Sequence, residues 1–195
     1  MPESPVPESP APGSPPADLR CVRHAAVDAA GVCYGRLEVE PLVAPAEASA
    51  RIDASGFDVV WSSPSTRCAD VARALIERES QRLELRVDPR LYELDFGDWE
   101  GLRWDAIPEV PREAWMGDWK RAAPPNGEAL PALEGRVRDW HDALEVGRRH
   151  LLVAHAGVVR ALWVIREGLT WDDAMSRPVP HLESVDFGTN PEHRA

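Results

Sequence analysis

No apolar run in the chain approaches the roughly 20 residues that a membrane-crossing helix needs. The opening residues lack both the basic start and the apolar stretch of a secretory signal, so a cytoplasmic protein is expected. Cysteine is scarce: Cys21, Cys33 and Cys68 are odd in number, and no CxxC pair occurs. That pattern builds neither a disulfide framework nor a thiolate zinc site, and reduced, partly buried thiols are expected. A surplus of positive charge is missing too. The 22 Lys and Arg face 33 Asp and Glu, for a net charge of -11. Nucleic acid and anionic membranes both want a basic surface, so neither is expected as a partner. HExxH, a Gly-rich nucleotide loop and the GxSxG elbow of serine hydrolases are also absent. The expected chemistry therefore uses no metal and no cofactor.

What is present suits one soluble domain. The chain has 195 residues, 44% apolar and 28% charged, which is enough to bury a proper core. Residues 1–17 carry seven prolines among Ser, Glu and Ala, and are expected to be a disordered tail. From residue 18 onward strands and helices alternate. Strands are expected at Leu19–His24, Asp58–Trp61, Leu83–Val87 and Leu151–Ala154, with a short edge strand at Glu183–Phe187. Helices are expected at about 44–54, from Ser63 or Ser65 to about 79, from Glu128 to about 149, and at 158–168. The segment 92–126, rich in Trp, Pro and Gly, reads as loop with short helices. This alternation predicts an α/β fold: a three-layer α/β/α sandwich around a mostly parallel sheet.

In such sheets ligands bind just past the carboxyl ends of the strands. The first strand ends in Arg23 and His24; the second runs into Ser62 and Ser63, with Arg67 one helical turn on; the fourth ends in His155, at a helix start. None of His141, His150, His181 and His193 follows a strand in this way. Each residue alone reads as an ordinary structural one. Together they place two imidazoles, two planar guanidinium forks and the amides of two helix N-termini on one edge, which is a phosphate site.

The segments that carry these residues are LRCVRHA, VVWSSPSTRCADVARAL, RLYELDFGDWEG and LLVAHAGVVRAL. In that order they resemble the four motifs of the histidine phosphatase, or phosphoglycerate mutase-like, superfamily. RHAAVDAAGVCYGRLEVEPL looks most like the α-ribazole phosphatase type, which acts late in cobalamin assembly. The resemblance implies that His24 is a nucleophile forming a phosphohistidine, that Arg23, Arg67 and His155 hold the phosphoryl oxygens, and that Glu93 is the general acid. It also implies a lid insertion, here Trp-rich and about 99–127, whose Trp104 and Trp115 are available either to stack a flat base or simply to pack. Three positions depart from the family pattern. Ala25 stands where Gly is usual, and Val27 and Ala30 replace Thr and Asn, leaving Arg36 and Ser62 as substitute phosphate contacts. The expected activity is hydrolysis of a small phosphomonoester, with α-ribazole 5'-phosphate as a candidate. The alternatives are a non-catalytic phospho-ligand binder and a mutase.

Overall fold

A computed structural model describes residues 17–79 and 82–188. The strands are β1 (Asp18–Arg23), β2 (Val59–Ser62), β3 (Glu84–Val87), β4 (Arg149–Ala154) and β5 (Ser184–Asp186). They form one sheet in the order β3-β2-β4-β1-β5. The first four run parallel, and β5 pairs with β1 antiparallel. The helices are α1 (Pro45–Ala50), α2 (Thr66–Arg78), α3 (Glu109–Gly117), α4 (Leu130–His141), α5 (Ala156–Glu167) and α6 (Trp171–Ser176).

Side chains alternate across the strands, so each face of the sheet feeds its own core. Leu19, Cys21, Trp61 and Leu152 point to the face covered by α4 and α5. Val22, Val60, Leu151 and Val153 point to the face covered by α1 and α2. Both faces are therefore sealed, and the central strand β4 is buried from His150 to Ala154. This is the sandwich that the alternation predicts.

The element ends differ from the expectations in instructive ways. The expected helix from Glu128 to about 149 is α4 only, Leu130–His141. Pro131 suits its first turn, and Glu128 stays outside because its carboxylate is taken by Arg136 at 2.8 Å. At the other end, turns after His141 tuck Leu144 into the core, and Gly147 adopts φ 84°, so the chain leaves the helix in time to enter β4 at Arg149. The expected helix at 158–168 begins earlier, at Ala156, and ends on Gly168 at φ 67°. Ala17, assigned to the tail, is buried and its carbonyl accepts from Arg166. The rest of that tail lies outside the described residues, as does His193. The segment 92–126 holds short 3-10 turns and α3, as its composition predicts.

Candidate active site

The strand register brings the two expected histidines together. β1 and β4 pair Arg23 with Ala154, and the amide of His24 donates to the Ala154 carbonyl at 3.0 Å. His24 and His155 thus leave neighbouring strands at the same level. Their ring centroids are 5.2 Å apart, edge to face. Both are buried.

Hydrogen bonds fix which nitrogen of each ring is free. His24 Nδ1 lies 2.6 Å from the Ala25 carbonyl, which can only accept, so Nδ1 carries the proton and Nε2 keeps its lone pair. His155 is set the opposite way. An Arg67 Nη2 donates toward its Nδ1 at 3.3 Å, which leaves Nε2–H to donate to Ser63 Oγ at 2.8 Å. Burial pushes the His24 pKa down to about 3, with the Arg67 and Arg23 charges adding to the effect against the Ala25 carbonyl. Burial, then the neighbouring His24 and Arg67, hold His155 well below the ordinary imidazole value. The pair is neutral at physiological pH.

The arginines are anchored by backbone carbonyls. Arg23 Nη1 donates to Val179 O at 2.8 Å. Arg67 donates to Leu37 O at 2.8 Å and to Gly35 O at 2.5 Å, and packs over the Tyr34 ring. Each keeps a buried Nε without an acceptor among the described residues. Glu93 sits across from them. Its Oε1 accepts from its neighbour Leu94 N, and its Oε2 accepts from Gly157 N, both at 3.0 Å. Gly157 is what makes room: a Cβ built there would lie 2.1 Å from Glu93 Oε1. Arg136 clamps the loop from behind, donating to the carbonyls of Arg90, Tyr92 and Glu93.

His24, the two arginines and Glu93 open into a cavity of about 180 Å³, whose lining does not include the fully buried His155. Arg23, His24, Arg67 and Glu93 line its inner end, and Phe96, Trp115, Trp119, Trp171 and Met175 its outer wall. Trp104 stands behind Trp115, stacked on it at 6.3 Å, and does not line the cavity.

Two expected phosphate contacts lie elsewhere. The Arg36 guanidinium is drawn to Asp95 at 3.4 Å and Glu128 at 3.5 Å, and packs on Tyr92. The Ser62 hydroxyl donates to the Ser63 carbonyl at 2.8 Å inside the core. The helix amides are also otherwise engaged. Glu38 accepts from Thr66 N at the start of α2, and Glu93 takes Gly157 N at the start of α5. The chain's own carboxylates hold amides that were expected to face a phosphate. Of the family departures, the Ala25 methyl is buried in the core with Val22, Ala48 and Cys68. Its φ is not positive, so alanine is unstrained. Val27 bridges to Pro41, and Ala30 is exposed.

Sequence reasoning missed Ser63 as the partner of His155, Arg136 behind Glu93, Arg160 in the cavity wall and His181. His181 Nδ1 donates to the His24 carbonyl at 2.7 Å, with the two rings 5.3 Å apart. Arg160 follows Gly157 by three residues, a spacing that puts both on one helix face and was there to be read. Nothing in the sequence around His181 pointed to the site.

The profile of the histidine phosphatase superfamily (branch 1) matches residues 21–192. A 2,3-bisphosphoglycerate-dependent phosphoglycerate mutase of Bartonella henselae is 33% identical over 132 residues, covering 62% of this chain and 63% of that protein. An adenosylcobalamin/alpha-ribazole phosphatase of Escherichia coli is 32% identical over 112 residues, or 54% of each. The chain thus spans less than two thirds of the length of both relatives. Among solved structures, the alpha-ribazole phosphatase from Shigella flexneri superposes with a TM-score of 0.72 at 26% identity, over 86% of this chain and 88% of that one.

Proposed function

The chain belongs to the histidine phosphatase superfamily, and from that membership we propose that it is a phosphomonoesterase that works through a phosphohistidine on His24. One observation carries the reading: a buried, neutral imidazole whose Nδ1 proton is held by a carbonyl and whose Nε2 is free, beside a second buried histidine and two arginines.

In the first step the His24 Nε2 lone pair attacks phosphorus, and the bond from phosphorus to the ester oxygen breaks. The Ala25 carbonyl stays bonded to Nδ1–H and stabilises the charge that develops on the ring. Arg23 and Arg67 offer their unsatisfied donors to the phosphoryl oxygens, and His155 sits beside them. Catalysis of this step is largely positioning and charge stabilisation, which a preorganised cradle supplies. Glu93 gives its proton to the leaving alkoxide. In the second step it takes a proton from water, which attacks phosphorus and releases phosphate and neutral His24.

The substrate is a small phosphomonoester. The aromatic outer wall supports a flat group beyond the ester, with Trp115 and Trp119 at its edge and the segment 99–127 as its lid. The α-ribazole phosphatase relatives make α-ribazole 5'-phosphate the first ester to try. The test is a rapid-quench reaction with a labelled phosphomonoester. An acid-labile, alkali-stable phosphoprotein is expected in the wild type and absent in His24→Ala. Steady turnover by His24→Ala would overturn the nucleophile. The mutase relative supplies a second reading. Conversion of 3-phosphoglycerate to 2-phosphoglycerate in the presence of the bisphosphate, with little phosphate released, would favour it.

A further inference from the structure

Most arginines near the cavity are matched. Arg136 pairs with Glu128 at 2.8 Å, Arg90 with Asp88 at 2.6 Å, and Arg23 and Arg67 hold backbone carbonyls. Arg160 is different. It lines the cavity one turn along α5 from Gly157, and no described residue accepts a hydrogen bond from it. Its Nε is buried without a partner. Burial lowers its pKa, Glu93 opposes that shift and Arg23 adds to it, so its charge lies near both. Guanidinium remains protonated in such a setting. A half-buried cation with a buried, unsatisfied donor is costly to keep in a free protein unless a ligand completes it.

Its place in the site says which part of a ligand that is. Arg23 and Arg67 already stand at the phosphoryl end, two charges for a dianion. Glu93, fixed by Gly157 N, marks the position of the leaving oxygen. Arg160 lines the same cavity as Trp115, Trp119 and Trp171, and its charge lies close to Glu93.

We propose that Arg160 is a specificity-determining residue that donates to oxygens on the carbon skeleton of the leaving group, so that the enzyme selects esters with a hydroxyl-bearing linker of the ribose type between the phosphate and a flat apolar ring. The inference rests on the phosphatase reading. It divides the cavity into three: phosphoryl group on His24, linker oxygens on Arg160, ring on the tryptophans. A planar fork that grips two vicinal oxygens discriminates strongly against an analogue lacking them, because its donors are then left unpaired.

The experiment compares benzimidazole riboside 5'-phosphate with its 2',3'-dideoxy counterpart. The readout is the ratio of their kcat/KM values in the wild type, Arg160→Leu and Arg160→Lys. The wild type is expected to prefer the ribo ester by about 10- to 100-fold, the range of hydrogen bonds to a charged group. Arg160→Leu should bring the ratio close to one, and Arg160→Lys, which keeps the charge but not the fork, should fall between. A wild-type ratio near one, or a ratio that survives in Arg160→Leu, overturns the proposal however the absolute rates move. Turnover of p-nitrophenyl phosphate is followed in parallel. If the wild type lacks it, the phosphatase reading fails by itself, and the same ratio is then read from Kd values by tryptophan fluorescence. There, loss of the preference in Arg160→Leu supports the role of Arg160, and its persistence overturns it.

Discussion

At the inner end of the cavity lies His24; it and His155 leave adjacent parallel strands whose register pairs Arg23 with Ala154. At the outer end, Trp115 and Trp119 come from a segment of 3-10 turns and one short helix between Leu91 and Asn126. The first arrangement rests on a continuous ladder between β1 and β4, so its geometry is as rigid as the sheet. The second rests on aromatic edge contacts, such as Trp99 on Trp115 at 5.6 Å and Phe96 on Trp104 at 5.6 Å. A rigid floor can serve one reaction while a wall of loops is altered to take different esters.

If that division holds, damage to the floor removes chemistry and damage to the wall removes selectivity. His24→Ala should lower kcat by about a thousandfold or more on every ester, measured with p-nitrophenyl phosphate and with an alkyl ester. Glu93→Gln should cost about 100- to 10,000-fold in kcat on an alkyl ester, and much less on p-nitrophenyl phosphate, whose leaving group needs no proton. Equal losses on both esters would remove Glu93 from the acid role.

Acid should loosen the floor before the wall. His24 and His155 are neutral in the fold, His24 down to about pH 3, whereas an unfolded histidine takes up a proton near pH 6.5. Above that value both states are neutral and stability does not depend on these groups. As pH falls below it the unfolded chain binds the extra protons, so stability is lost progressively toward pH 3. At pH 5 the cost is about 2 kcal/mol for His24, with a further loss of the same sign from His155, read as a lower Tm than at pH 7.5. His24→Ala should remove part of that slope.

Arg136→Leu should lower stability by about 1–3 kcal/mol, since three carbonyls and Glu128 lose their donors, and it should also lower kcat by releasing the Glu93 loop. A fall in Tm with kcat unchanged would make Arg136 a structural residue only. The smallest effect belongs to the wall. Trp115→Ala should raise KM for an aromatic ester about 10-fold and leave kcat for a small alkyl ester within about twofold. A large kcat loss there would mean that the two ends of the cavity are coupled.

The same division explains what could be read from the sequence. The convergence of Arg23, His24 and His155 was legible because strands announce themselves by apolar runs, and the residue after a strand end is fixed by the sheet. Arg67 was legible because it follows a strand end by one helical turn. Arg36 and Ser62 were misplaced because their positions depend on loop partners: Asp95 and Glu128 for the first, a backbone carbonyl for the second. The helix amides were misread for a related reason. Glu38 and Glu93 reach them from distant segments, and no local pattern records such a contact. His181 comes beside His24 only because the amide of Leu182, at φ 59°, bonds back to the Arg23 carbonyl at 2.9 Å. A long-range turn of that kind leaves no trace in spacing.

The missing methyl at Gly157 makes the seat of Glu93 a steric interlock. Alanine there would evict the carboxylate while leaving the strands, and so His24, where they are. With an ester that departs unaided, such a protein could still load phosphorus onto His24 but would lack the base that activates water to unload it. One methyl group would then turn a turnover catalyst into a trap that stores its own covalent intermediate.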